Sequence, residues 1–112
     1  MYVLDRPGET YMRVKSPPAS LKAYNVIVRG RVQGVGFRAF TRRNAMLLEL
    51  RGEVANRPDG SVKAYIEGDK ERLRQMIHLL NEGPSLARVE EVAITPVKPQ
   101  GTHRTFEVSF SY

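Results

Sequence analysis

The sequence predicts an α+β sandwich in which an antiparallel sheet carries two helices on one face. Three observations lead there. Strand-like and helix-like periods alternate in the order βαββαβ, each helical stretch has a single apolar stripe, and one more short alternating segment follows at the C-terminal end.

The first strand is signalled by Val26 and Val28 alternating with Asn25, Ile27 and Arg29, with Gly30 as its expected stop. A glycine-spaced loop follows, and from Phe37 the period changes. Phe37, Thr41, Ala45 and Leu48 fall on one stripe of a helix expected to end near Glu49 or Leu50. Gly52 to Asn56 reads as the second strand. Arg57-Pro58-Asp59-Gly60 then supplies a fixed proline φ and a glycine that accepts positive φ, the chemistry of a hairpin turn. Val62, Ala64 and Ile66 give the third strand its inward face. Asp69 is positioned to cap a second helix with Leu73, Met76, Ile77 and Leu80 on its stripe, and Gly83-Pro84 ends it. Val89 to Thr95, and then Phe106, Val108, Phe110 and Tyr112, alternate as strands.

This order is the split-βαβ, ferredoxin-like plan. It carries a geometric consequence. If the third strand lies between the first two and runs antiparallel to both, the first two are parallel, and the loop near residues 31–38 meets residue 56 at one edge of the sheet.

The 112 residues, 41% of them apolar, suit one domain with one core. Residues 1–20, with Pro7, Gly8, Pro17 and Pro18 and no sustained period, are expected to form a flexible arm ahead of a domain over 21–112. The absence of cysteine excludes disulfides and thiolate metal sites. No stretch reaches the ~20 apolar residues of a membrane span, and Met1 to Ser20 lacks a signal-peptide centre. A cytoplasmic, monomeric protein is the expectation, with no membrane partner. The net charge of +6 favours anionic partners, or is spread over the surface for solubility; charge alone does not choose.

The segment Gly30-Arg31-Val32-Gln33-Gly34-Val35-Gly36-Phe37-Arg38 runs three glycines straight into a helix N-terminus. Glycines let successive backbone N–H groups converge on one point, and the first helical turn adds partial positive charge, so the segment suits an anion. Arg38 can add a planar fork to phosphate oxygens. The spacing fits neither a Walker A loop nor a dinucleotide fingerprint. Asn56 lies near a strand end beside the proline turn. Its amide can hold a water and a phosphoryl oxygen at once, or it can simply shape the turn.

Taken together, Gly30 to Arg38 and Gly52-x-Val54-x-Asn56-x-x-Asp59-Gly60-Ser61-Val62 closely resemble the two signatures of the acylphosphatases. The resemblance extends through Glu67-Gly68-Asp69, Gly83-Pro84-Ser85 and Phe106-x-Val108, about residues 24 to 112. It implies hydrolysis of small acyl phosphates without metal or cofactor. It also implies a phosphate cradle at Gln33, Gly34, Val35, Gly36, Phe37 and Arg38, with Arg38 and Asn56 as the catalytic pair. Two positions depart from the family pattern: Glu49 where a glycine usually follows the first helix, and Glu53 where an aromatic commonly precedes Val54. Both are expected to affect stability rather than chemistry.

Similar domains are fused at the start of hydrogenase-maturation carbamoyltransferases, whereas this chain, ending at Tyr112, is expected to be free-standing. His78 and His103 are expected to be structural or solvated, and Asp59 to serve the turn. A nucleic-acid role is not expected, because an RNA recognition motif needs several aromatics on its central strands and only Tyr24 and Tyr65 are available.

Overall fold

A computed structural model of the chain describes residues 2–3, 12–13 and 21–109. Of the expected N-terminal arm, only β1 (Tyr2–Val3) and β2 (Met12–Arg13) are described, and they pair antiparallel with each other. The rest of that arm lies outside the described residues, as do Phe110 and Tyr112 of the expected last strand.

The domain runs β3 (Leu21–Arg31), α1 (Phe37–Leu47), β4 (Arg51–Asn56), β5 (Val62–Asp69), α2 (Lys70–Glu82), β6 (Arg88–Val97) and β7 (Phe106–Ser109). The sheet order is β6-β3-β5-β4-β7. All pairs are antiparallel except β4 with β7, where the short last strand adds a parallel edge. This is the expected ferredoxin-like sandwich, with both helices on one face.

The core lies between that face and the helices. Strand alternation turns Val26 and Val28 of β3, Val54 of β4, and Val62, Ala64 and Ile66 of β5 inward, all fully buried. They meet Phe37, Thr41 and Ala45 of α1 and Leu73, Met76 and Leu80 of α2, the two stripes read from the sequence. Burying each such aliphatic side chain contributes about 1.5–3 kcal/mol, enough for one small domain to hold together without disulfides. On the opposite face Tyr65 is 4% exposed beneath the 98–105 segment. Its hydroxyl donates to Glu67 and accepts from the Gln100 N–H at 2.7 Å. Burial pushes that hydroxyl up to about 12, so it stays protonated as a donor.

Gly30 does not stop the first strand as expected. The ladder with β6 shifts register between Arg29 and Gly30, and the strand continues to Arg31 through this bulge. A Cβ at Gly30 would sit 2.1 Å from the Arg88 carbonyl oxygen, so only glycine permits the close approach.

Helix α1 ends at Leu47, slightly earlier than expected. The Leu50 N–H bonds the Ala45 carbonyl at 2.8 Å and the Glu49 N–H bonds Met46 at 3.0 Å, a Schellman closure around a left-handed residue. That residue is Glu49, with φ 58°, the one non-glycine at positive φ among the described residues. Its carboxylate meets the Arg72 guanidinium at 2.6 Å, an exposed pair. The left-handed backbone costs a residue with a Cβ about 1–2 kcal/mol, more than an exposed ion pair returns at about 0.2–1 kcal/mol. Glycine would give back roughly 0.5–1 kcal/mol in unfolded-chain freedom. Glu49→Gly is therefore expected to raise unfolding stability by about half a kcal/mol, and Glu49→Ala to lower it by a few tenths. Urea denaturation of the three proteins checks the order.

Candidate active site

The site begins where β3 hands over to the loop 32–36. Val32 is buried and anchors the loop's first residue, while Gly34 and Gly36 take φ of 75° and 79°. At both glycines a Cβ would meet nothing within 4 Å, so backbone conformation rather than space demands them. Gly36 is the N-cap of α1 and brings no side chain to the first-turn amides, and the first turn holds no acidic residue. Helix α2 differs: Asp69 accepts from the Glu71 and Arg72 N–H groups at 3.1 and 3.4 Å, and Glu71 lies in its first turn. The sequence thus supplies an anion for one helix N-terminus and leaves the positive end of the other facing the glycine loop.

Arg38 is the second residue of α1. Its Nη1 donates to the Ser109 carbonyl of β7 at 3.3 Å, which draws the guanidinium across the sheet edge. Thr41 and Phe37 secure this first turn, since the Thr41 hydroxyl donates to the Phe37 carbonyl at 2.8 Å and the Phe37 ring is buried.

Asn56 arrives by register. Val62 of β5 is the partner of Val28 on one side and of Asn56 on the other. Since β5 is antiparallel to both neighbours, β3 and β4 finish at the same edge. Gly34, Gly36, Phe37, Arg38 and Asn56 line one cleft of about 340 Å³, with Val108 on its wall. The remaining cradle positions behave differently: Val35 packs against the core, and the Gln33 side chain turns away to bond the Arg57 and Ser61 carbonyls. Sequence reasoning weighed Gln33 only for its backbone amide. Its partners lie 24 and 28 residues along the chain, so no local signal announced them.

The turn after Asn56 closes as its residues dictate. Arg57 N–H bonds the Ser61 carbonyl at 2.9 Å and Gly60 N–H bonds the Arg57 carbonyl at 3.1 Å. Asp59 serves that turn, accepting from the Ser61 N–H and hydroxyl and from the Arg29 guanidinium. The Ser61 hydroxyl, then its N–H, then Arg29 hold the Asp59 carboxyl well below the usual carboxylate range. His78 is exposed on α2, 3.3 Å from the Glu82 carboxylate, and the His103 ring stacks on Tyr65 at 5.2 Å. Among the described residues no three His, Asp or Glu side chains gather as a metal-ligand set.

Fold and site together define a ferredoxin-like domain with a glycine-rich loop and an uncapped helix N-terminus at its first strand–helix junction. Residues 24–108 match the acylphosphatase family model. The acylphosphatase of Methanocella arvoryzae is 46% identical over 88 residues, spanning 79% of this chain and 99% of that protein. The crystal structure of acylphosphatase from Bacillus subtilis superimposes with TM-score 0.76 at 35% identity, over 80% of this chain and 98% of that one. The structure of HypF from T. kodakarensis is similar over 79% of this chain and 12% of its own length, with TM-score 0.70 and 38% identity. This chain belongs to the acylphosphatase family, whose activity is the hydrolysis of acyl phosphates.

The lowered Asp59 carboxyl has a pH consequence. A group whose folded-state proton affinity is depressed contributes stability above its unfolded pKa and loses it as pH falls below that value. The stability difference between wild type and Asp59→Asn is therefore expected to be constant above about pH 5 and to shrink as pH falls below about 4, as read from denaturation midpoints.

Proposed function

We propose that the chain cleaves acyl phosphates by in-line attack of water on a phosphoryl group held in the loop of residues 33–38, with Arg38 and Asn56 as the catalytic residues. The observation that carries this reading is the meeting of the α1 N-terminus, Arg38 and Asn56 on one cleft. Backbone N–H groups of Gln33 to Arg38 and the Arg38 guanidinium would neutralise the equatorial phosphoryl oxygens, where charge concentrates in the transition state. Asn56 would hold the water through its carbonyl oxygen and a phosphoryl oxygen through its N–H₂.

The chemistry balances with these few groups. The water oxygen forms a bond to phosphorus, the phosphorus–acyl oxygen bond breaks, and the pair leaves on a carboxylate. A carboxylate is weakly basic and departs without a general acid, while a phosphate oxygen accepts the water's proton. The same logic makes phosphate monoesters poor substrates, because an alkoxide leaves far less readily.

In this reading neither metal nor cofactor takes part, and the protein acts as a cytoplasmic monomer on a small-molecule substrate, with residues 21–112 as the catalytic domain and residues 1–20 as an appended arm. No helix among the described residues is long and apolar enough to cross a membrane. Tyr24 packs against the core and Tyr65 lies beneath the 98–105 segment, which weighs against an aromatic platform for nucleic acid.

Hydrolysis of benzoyl phosphate in the presence of EDTA tests the proposal. Wild-type turnover is expected to persist, and Arg38→Ala and Asn56→Ala, each confirmed folded, are expected to lose at least about 100-fold in kcat. Phenyl phosphate is expected to be hydrolysed slowly or not at all. Absence of benzoyl phosphate turnover in folded wild type would overturn the reading in favour of a domain that only binds an anion.

A further inference from the structure

We infer that Gln33 is a positioning residue that fixes the phosphate cradle against the strand end bearing Asn56. The inference rests on the acyl phosphate reading and adds to it the element that sets the distance between its two halves.

Gln33 Nε2 donates to the Arg57 carbonyl at 2.8 Å and to the Ser61 carbonyl at 2.9 Å. One N–H₂ group therefore uses both its protons on the two carbonyls at the mouth of the turn that follows Asn56. Each carbonyl already accepts a backbone bond, Arg57 from Gly60 and Ser61 from Arg57, so Gln33 fills their second acceptor positions. The amide orientation is dictated by its partners, since the reverse flip would set the Gln33 oxygen against two carbonyl oxygens.

The place of this clasp in the sheet explains why it is needed. β3 and β4 are not neighbours, because β5 separates them. Backbone pairing relates them only as far as the row Val28, Val62 and Asn56, where the ladders with β5 end. Beyond that row β3 continues to Arg31 paired with β6 alone, and the loop leaves it. Across that gap run the exposed Arg29–Asp59 pair and, nearer the loop and part-buried, the two Gln33 hydrogen bonds, which restore the connection that the ladder no longer makes. Its side chain sits off the cleft that Gly34, Gly36, Arg38 and Asn56 line, which separates it from direct phosphate contact.

Gln33→Met keeps the length and removes the donors; Gln33→Asn keeps the N–H₂ but shortens its reach. A misplacement of about 1 Å between reacting groups costs on the order of 100-fold in rate. On benzoyl phosphate, kcat is expected to fall by about 30-fold or more in Gln33→Met and by an intermediate factor in Gln33→Asn. KM and competitive inhibition by inorganic phosphate are expected to move less than about threefold, because the loop amides and Arg38 remain. In an Asn56→Ala background Gln33→Met is expected to cost less than about threefold, since the water holder it would displace is already gone.

Equal losses from Gln33→Met in both backgrounds, or a loss confined to phosphate affinity, would overturn the inference. If wild type turns over no benzoyl phosphate, the acyl phosphate reading fails separately. The clasp is then read from the Asn56 side-chain amide signals by NMR: collapse toward solvent values in folded Gln33→Met supports it, and unmoved signals refute it.

Discussion

The antiparallel seating of β5 between β3 and β4 is the constraint on which the site depends. Backbone hydrogen bonds on both edges of β5 fix Val28, Val62 and Asn56 in one row. The ends of β3 and β4, far apart in the chain, are thereby delivered to the same sheet edge without any side chain choosing the meeting point. Valines at positions 26, 28, 54 and 62 make a register slip costly, since a shift by one residue would carry each of them from the core to the opposite face.

On this frame the two helices treat their N-termini differently. Asp69 supplies α2 with a carboxylate cap. Helix α1 has Gly36 at the same position, with no side-chain cap, and its first residues line the cleft shared with Asn56. An acidic side chain there would stabilise α1 by occupying its first-turn amides, and under the proposed function it would also take the place of the phosphoryl group. On that proposal local helix stability and anion binding compete at one position, and Gly36 brings no side chain to it.

The departures from the family pattern lie away from this edge. Glu49 closes the far end of α1 in a left-handed conformation, where the Arg72 pair offsets part of the backbone strain. Glu53 faces away from the core on β4, between Tyr65 of β5 and Glu107 of β7. Neither lines the cleft shared by Arg38 and Asn56.

The sequence by itself determined the element order, the two helical stripes, the turn at residues 57–60 and the α2 cap, because each rests on residues within a few positions of one another. It also marked Arg38 and Asn56 through local motifs. The extension of β3 through Gly30 escaped a local reading, since the glycine answers to the distant Arg88 carbonyl and not to its neighbours. The role of the Gln33 side chain was decided only by the tertiary structure. Its two acceptors come within reach once β3, β5 and β4 lie in register, and that registration is a property of the sheet, made by contacts between segments that are far apart in the chain.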